Sequence, residues 1–200
     1  ASEWIAEQAN YESKKDFLGS KLSQFTLENA QPFEPRDVVL YGFGRIGRLA
    51  ARELIKQAGK GQQLRLRAIV TRGNDPQAII KRAALLRNDS VHGAFRGSVE
   101  VDVENQTINI NGQMVHLISA NAPEDIDYNQ YGIDNALIVD NTGAFTNREA
   151  LSRHLKAKGA SRVLLTAPGK EIPNVVYGIN QGELELDSEN IYSAASCTTN

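Results

Sequence analysis

The chain has 200 residues, 41% hydrophobic and 23% charged, with a formal net charge of -2, which are ordinary globular proportions with enough apolar material for a sizeable core. So even a charge balance gives no footing for nucleic acid, and no apolar stretch approaches the roughly 20 residues of a membrane-spanning helix. The single cysteine excludes an intrachain disulfide, and beside it the three scattered histidines have no zinc-like spacing, so no metal site is expected.

In chain order, the first 25 residues set Trp4, Tyr11, Phe17, Leu22 and Phe25 among charges. That spacing predicts one or two amphipathic helices packed on the domain that follows. Gln31-Pro32-Phe33-Glu34-Pro35 reads as a linker, because two prolines so close disfavour helix and strand alike. Asp37 to Tyr41 is a short apolar strand running into Gly42-Phe43-Gly44-Arg45-Ile46-Gly47, after which Ile46, Leu49, Ala50, Leu54 and Ile55 recur at helical spacing. Strand, glycine turn and helix in that order bind dinucleotides. Gly42 makes the tight turn, Gly44 lets the backbone approach a pyrophosphate, and Gly47 lets helix and strand pack closely.

Leu64 to Val70 supplies a second strand, and Asp75-Pro76 starts a helix with a capping carboxylate and a proline in its first turn. Val99, Val101 and Val103 alternate with polar residues. Thr107 to Ile110, Asn111-Gly112 and Gln113 to Ile118 form a hairpin, because Asn-Gly tolerates the positive φ of a type I′ turn. Ala136 to Val139 is a buried strand. Thr146 and Glu149 then form a capping box for a helix that turns Leu151 and Leu155 inward and ends at Gly159. Arg162 to Thr166, Asn174 to Ile179 and Asn190 to Ala194 read as further strands. The alternation gives an α/β class: a Rossmann-type doubly wound, mostly parallel sheet with an antiparallel hairpin addition, preceded by a helical N-terminal extension.

Ser196-Cys197-Thr198-Thr199-Asn200 sets the only cysteine among hydroxyls and an amide where a helix is expected to start. There the peptide dipole and free N–H groups favour a thiolate, lowering the pKa below the usual value of about 8.5. Cys197 is therefore a candidate nucleophile.

Five motifs stand in order: Gly42-Phe43-Gly44-Arg45-Ile46-Gly47-Arg48, Asp89-Ser90-Val91-His92-Gly93, Asn141-Thr142-Gly143-Ala144-Phe145-Thr146, Thr166-Ala167-Pro168 and Ser196-Cys197-Thr198-Thr199-Asn200. Together they resemble the phosphorylating glyceraldehyde-3-phosphate dehydrogenases, from about Asp37 to Asn200. The resemblance implies a nucleotide-binding domain followed by a catalytic domain, with the cysteine at the junction. Residues 1–34 are then an extension, 35–196 the dinucleotide-binding domain and 197–200 the start of the catalytic domain. A chain that begins with Ala1 and stops at that junction reads as a piece of a longer protein.

The same resemblance implies that Arg45 and Ile46 present backbone to the pyrophosphate, that Thr142 and Gly143 lie along the nucleotide, and that Thr166 approaches the nicotinamide. Cys197 would attack the aldehyde carbon of glyceraldehyde 3-phosphate, and Ser196 and Thr198 would help bind the inorganic phosphate that cleaves the thioester. The activating histidine belongs to the catalytic domain, which leaves His92, His116 and His154 structural and the present chain inactive alone. Asn121 stands where the family commonly places a cation beside the adenine, and Tyr41 and Ala194 replace asparagines.

The cofactor is NAD or NADP. If the second strand ends at Val70, Thr71-Arg72 takes the place of the family's Asn-Asp pair, and Arg72 points to NADP. Counted back from Asp89, Asn74-Asp75 falls at the family's spacing, and Asp75 keeps the acid that grips the ribose of NAD, the family's habit. Both stay open. A cytoplasmic, homo-oligomeric parent protein with no nucleic-acid or membrane partner is expected. A sister activity of the erythrose-4-phosphate dehydrogenase type shares every motif present, and a non-catalytic nucleotide-binding assembly module is the alternative from another class.

Overall fold

A computed structural model describes residues 5, 7–23, 34–59, 61–185 and 187–194. The chain forms two compact units, Ala1–Glu34 and Pro35–Asn200. In the first, helix α1 (Lys14–Lys21) starts at Ser13, whose hydroxyl oxygen accepts the Asp16 N–H at 3.1 Å. Asp16 in the first turn and Lys21 in the last both suit the helix dipole. Phe17 is buried, with the Tyr11 ring edge-on at 5.2 Å. Leu18 and Leu22 are exposed, so the apolar stripe expected here narrows to one side chain of the helix. Trp4, Phe25 and the Gln31-Pro32-Phe33 part of the linker lie outside the described residues.

The second unit is built on strands β1 (Arg36–Tyr41), β2 (Leu64–Thr71), β5 (Val99–Asp102), β6 (Thr107–Ile110), β7 (Gln113–Ser119), β8 (Ala136–Asp140), β9 (Ala160–Leu165) and β10 (Ile191–Ser193). Among the described residues they make one sheet in the order β10-β9-β8-β1-β2-β7-β6-β5. All neighbours pair in parallel except β7 with β6 and β6 with β5, which pair antiparallel. Numbered among themselves, the six parallel strands run 3-2-1-4-5-6, the doubly wound Rossmann order. Asn111 and Gly112, both at positive φ, turn β6 into β7 as their sequence requires. β3 (Asn88–Asp89) and β4 (Gly93–Ala94) form a small separate pair.

From Val38 to Tyr41, β1 is apolar and buried because both faces of the sheet are covered. Val38 and Leu40 enter one core cluster, Val39 and Tyr41 another. In β2 the register slips opposite Val38 and Val39, so that Arg67 is an extra residue. That bulge puts Leu66 and Ile69 on one face and Ala68 and Val70 on the other, which strict alternation would not do. Helix α2 (Arg45–Lys56) buries Gly47, Ala51 and Ile55, and α3 (Pro76–Arg87) buries Ile79, Ala83 and Leu86. Arg52 ties them together: its guanidinium donates to Leu86 O, at the end of α3, at 2.7 and 3.1 Å. No helix among the described residues is long and apolar enough to cross a membrane.

Two local expectations are corrected. Helix α4 (Arg148–Ser152) is capped by Asn147, whose Oδ1 accepts the Ala150 N–H at 2.9 Å, so Thr146 and Glu149 do not form the box. The segment 174–179 forms no strand: Asn174 makes a single parallel bridge to Ser193, and the chain then turns from residue 177. Asn174 Nδ2 donates to Gly169 O and Ile172 O, Asn180 Oδ1 accepts the Val176 N–H, and Gly178 has a φ of +87°. The Asn180 side chain thus takes the Val176 N–H and the Asn174 carbonyl, so the pairing that starts at Asn174 goes no further.

Candidate functional site

The winding of the sheet reverses between β1 and β8, and the crevice beyond the carboxyl ends of such strands is where ligands bind in this architecture. Tyr41, at the end of β1, pairs with Val70 on one side and Asp140 on the other. The chain leaves through Gly42, whose N–H donates to Val70 O at 2.9 Å and whose φ of +92° suits glycine. A Cβ there would stand 2.8 Å from Thr142 Cγ2, and a Cβ on Gly47 would stand 2.4 Å from Gly42 O. Gly44 caps α2 without a side-chain hydrogen bond and has open space where its Cβ would be. With neither a capping side chain nor a β-carbon over it, the start of α2 leaves its first N–H groups for an anion. A pyrophosphate fits such a cradle.

Across the crevice, a buried pair holds the end of β8. Asp140 and His154 are 0% and 1% exposed, with His154 Nε2 2.9 Å from Asp140 Oδ2. The other carboxylate oxygen accepts the Thr142 N–H at 2.8 Å and its hydroxyl at 2.7 Å. Thr166, just past β9, donates its N–H and hydroxyl to Asp140 O, each at 3.0 Å. Tyr41 and Phe145 set their rings edge-on to His154 at 4.6 and 5.5 Å. Burial, and after it the charge of Asp140, raise the Tyr41 pKa, keeping it a neutral phenol at pH 7. Thr142 was legible in its motif; the pair beneath it was not, because only the fold brings Asp140 to His154.

A cavity of about 370 Å³ opens past the ends of β1, β2, β7 and β8, within the range of small-ligand sites. Val70, Ala120 and Phe145 give it apolar walls, and Thr71, Arg72, Arg82 and Asn121 polar ones. Arg72 follows directly on β2. Arg82 reaches in from α3 and carries no motif that would have announced it. Asp75 is not among the lining residues; its Oδ1 caps α3 by accepting the Ala78 N–H at 2.9 Å.

Of the remaining site candidates, Ile46 is exposed at the start of α2, and Gly143 sits at a φ of +68° with open space beside it. The Arg45 side chain turns to the 89–93 loop, donating to Ser90 Oγ at 3.1 Å and standing 3.5 Å from Asp89. Asp89 Oδ1 accepts the N–H groups of Val91 and His92, both at 3.0 Å, and these bonds together with the His92 ring and Arg45 hold its carboxyl far below the usual range. His116, on β7, packs its ring on Tyr131 at 5.2 Å. Ser196, Cys197 and Thr198 lie outside the described residues.

The family model for the NAD binding domain of glyceraldehyde 3-phosphate dehydrogenase matches residues 36–148. The chain is 51% identical over 195 residues to a glyceraldehyde-3-phosphate dehydrogenase-like protein of Pseudomonas aeruginosa (strain UCBPP-PA14), covering 96% of this chain and 42% of that protein. An alignment that long takes in most of the N-terminal unit. It is 39% identical over 165 residues to the glyceraldehyde-3-phosphate dehydrogenase of Zymomonas mobilis, covering 82% of this chain and 45% of the relative. It is 35% identical over 165 residues to the chloroplastic glyceraldehyde-3-phosphate dehydrogenase GAPB of Arabidopsis thaliana, covering 82% and 35%. The chain thus spans less than half the length of these relatives.

Proposed function

This chain belongs to the glyceraldehyde-3-phosphate dehydrogenase family and carries its NAD-binding half, and from that premise we propose that it holds a nicotinamide dinucleotide for a phosphorylating aldehyde dehydrogenase whose nucleophile is Cys197. The observation that carries the reading is the turn from Gly42 to Gly47, where a β-carbon at either end would strike backbone or side chain and the start of α2 is left bare. Its N–H groups bind the pyrophosphate. Thr142 and Gly143 hold the nucleotide at the end of β8, with Asp140 fixing the Thr142 hydroxyl, and Thr166 marks the nicotinamide side. When bound, the dinucleotide, NAD or NADP, accepts hydride.

In this reading the Cys197 thiolate attacks the aldehyde carbon of glyceraldehyde 3-phosphate to give a hemithioacetal. Hydride leaves that carbon, and the resulting thioester is cleaved by inorganic phosphate, releasing an acyl phosphate and regenerating the thiolate. Ser196 and Thr198 offer hydroxyls to the phosphate. The base that activates the thiol comes from outside these 200 residues, since His154 is buried against Asp140, His116 packs on Tyr131 and His92 sits against Asp89. A homo-oligomeric, cytoplasmic parent protein completes the proposal. Phosphate-dependent cofactor reduction by the full-length protein with glyceraldehyde 3-phosphate tests it. Cys197→Ala should abolish turnover, and the 200-residue chain should show none above its own Cys197→Ala control. Turnover that survives the substitution refutes the assignment.

A further inference from the structure

Beyond the first strand of a Rossmann sheet, the end of the second strand decides which adenosine ribose is accepted: a carboxylate takes the free hydroxyls, and a guanidinium takes a 2′-phosphate. Here β2 continues to Thr71, so the next residue, Arg72, occupies that place. Its side chain has no hydrogen-bond or ion-pair partner among the described residues, and it lines the cavity. Arg82 lines the same cavity from α3, aimed by one hydrogen bond from its Nη1 to Asn74 Oδ1 at 3.2 Å. Asn74 is itself fixed, accepting the Thr71 hydroxyl at 2.7 Å and donating to Leu117 O at 2.9 Å, so its amide is not free to grip a ribose.

The acid that would favour the unphosphorylated ribose is diverted. Asp75 uses one oxygen for the α3 cap, and among the described residues no carboxylate lines the cavity. Burial lowers the Arg82 pKa, with the Asp75 charge acting in the opposite direction. A guanidinium that has given up water and lacks an ion pair gains from an incoming dianion.

We propose that Arg72 and Arg82 form a two-pronged subsite for the 2′-phosphate of NADP, which makes this domain selective for NADP over NAD. The inference rests on the reading that the Gly42–Gly47 turn holds the pyrophosphate of the same ligand. Arg72 supplies an exposed prong and Arg82 a half-buried one held by Asn74. Between them the two cations match the charge that distinguishes NADP from NAD.

The test is calorimetric titration of the chain with NADP and with NAD, in the wild type and in Arg72→Gln and Arg82→Gln. NADP should bind at least about tenfold more tightly than NAD, as charge-assisted hydrogen bonds to one phosphate provide. Arg72→Gln, at a side chain without a partner among the described residues, should lose most of that preference, its NADP affinity falling more than its NAD affinity. Arg82→Gln should do the same, and an unchanged unfolding midpoint separates its effect from loosening of the Asn74 loop. NAD bound as tightly as NADP, or an Arg72→Gln variant that weakens both equally, overturns the subsite and leaves the proposed function standing. Heat with neither dinucleotide overturns both.

Discussion

Gly47→Ala adds one methyl group at the tightest point of the site. Its carbon would stand 2.4 Å from Gly42 O and 3.3 Å from Gly42 C. Restoring an ordinary carbon–oxygen separation of about 3.3 Å from 2.4 Å requires roughly 0.9 Å of movement. The carbonyl cannot yield easily, because the Gly42 N–H is pinned to Val70 O at 2.9 Å at the end of the central strand β1. The start of α2 must lift instead. Overpacking of this kind costs about 1–3 kcal/mol, against at most about 1 kcal/mol gained from alanine's better helix propensity. A net loss of about 1–2 kcal/mol lowers the unfolding midpoint by roughly 2–8 °C in a domain of this size. The same displacement carries the first N–H groups of α2 off the pyrophosphate, so dinucleotide affinity should fall about tenfold or more. Thermal unfolding and calorimetric titration read the two effects, with Gly44→Ala as the comparison because its Cβ meets open space. A Gly47→Ala midpoint at or above the wild type, or one lowered no further than that of Gly44→Ala, would refute the steric reasoning.

Two further outcomes follow from the groups around the crevice. His154→Leu leaves Asp140 Oδ2 without its partner at zero exposure, which should cost about 1–3 kcal/mol and lower the midpoint by roughly 2–12 °C; an unchanged midpoint would mean that the pair does not anchor β8. Asp89→Asn should destabilise the domain at neutral pH. The carboxyl pKa is lowered in the folded state, so its contribution is complete above the unfolded value of about 3.9 and drains as the pH falls below that. The difference in midpoint between wild type and variant should therefore shrink in acid, and a difference constant from pH 7 to pH 3 would contradict the assignment.

The parts of this fold that were legible in the sequence are those that local chemistry decides. Gly42 and Gly47 announced the turn because no other residue fits there, Asn111-Gly112 announced its hairpin because both residues must take positive φ, and Asp75-Pro76 announced the α3 cap. The rest depended on choices between adjacent equals or on contacts across the chain. Thr146 and Asn147 are both good caps, and the bridge of Asn147 to Lys170 accompanies the choice of Asn147. The apolar residues at 175, 176 and 179 suggested a strand, but the pairing stops at the single bridge of Asn174 to Ser193 because Asn180 takes the Val176 N–H and the Asn174 carbonyl. Arg82 reaches the site from α3, and His154 reaches Asp140, at the end of β8, from the turn after α4, so no spacing rule points to them. The helical extension was legible as a helix and less so as an apolar face, since of α1 only Phe17 is buried.

The most direct measurement is calorimetric titration of the 200-residue chain and its Gly44→Val variant with NADP and NAD. A branched side chain at Gly44 fills the open space over the start of α2 where the pyrophosphate is placed. The expected result is one dinucleotide bound per chain, with binding lost in the variant while its unfolding transition remains cooperative. No heat from either dinucleotide at millimolar concentration, or undiminished binding by Gly44→Val, would contradict the claim that this turn is the dinucleotide site.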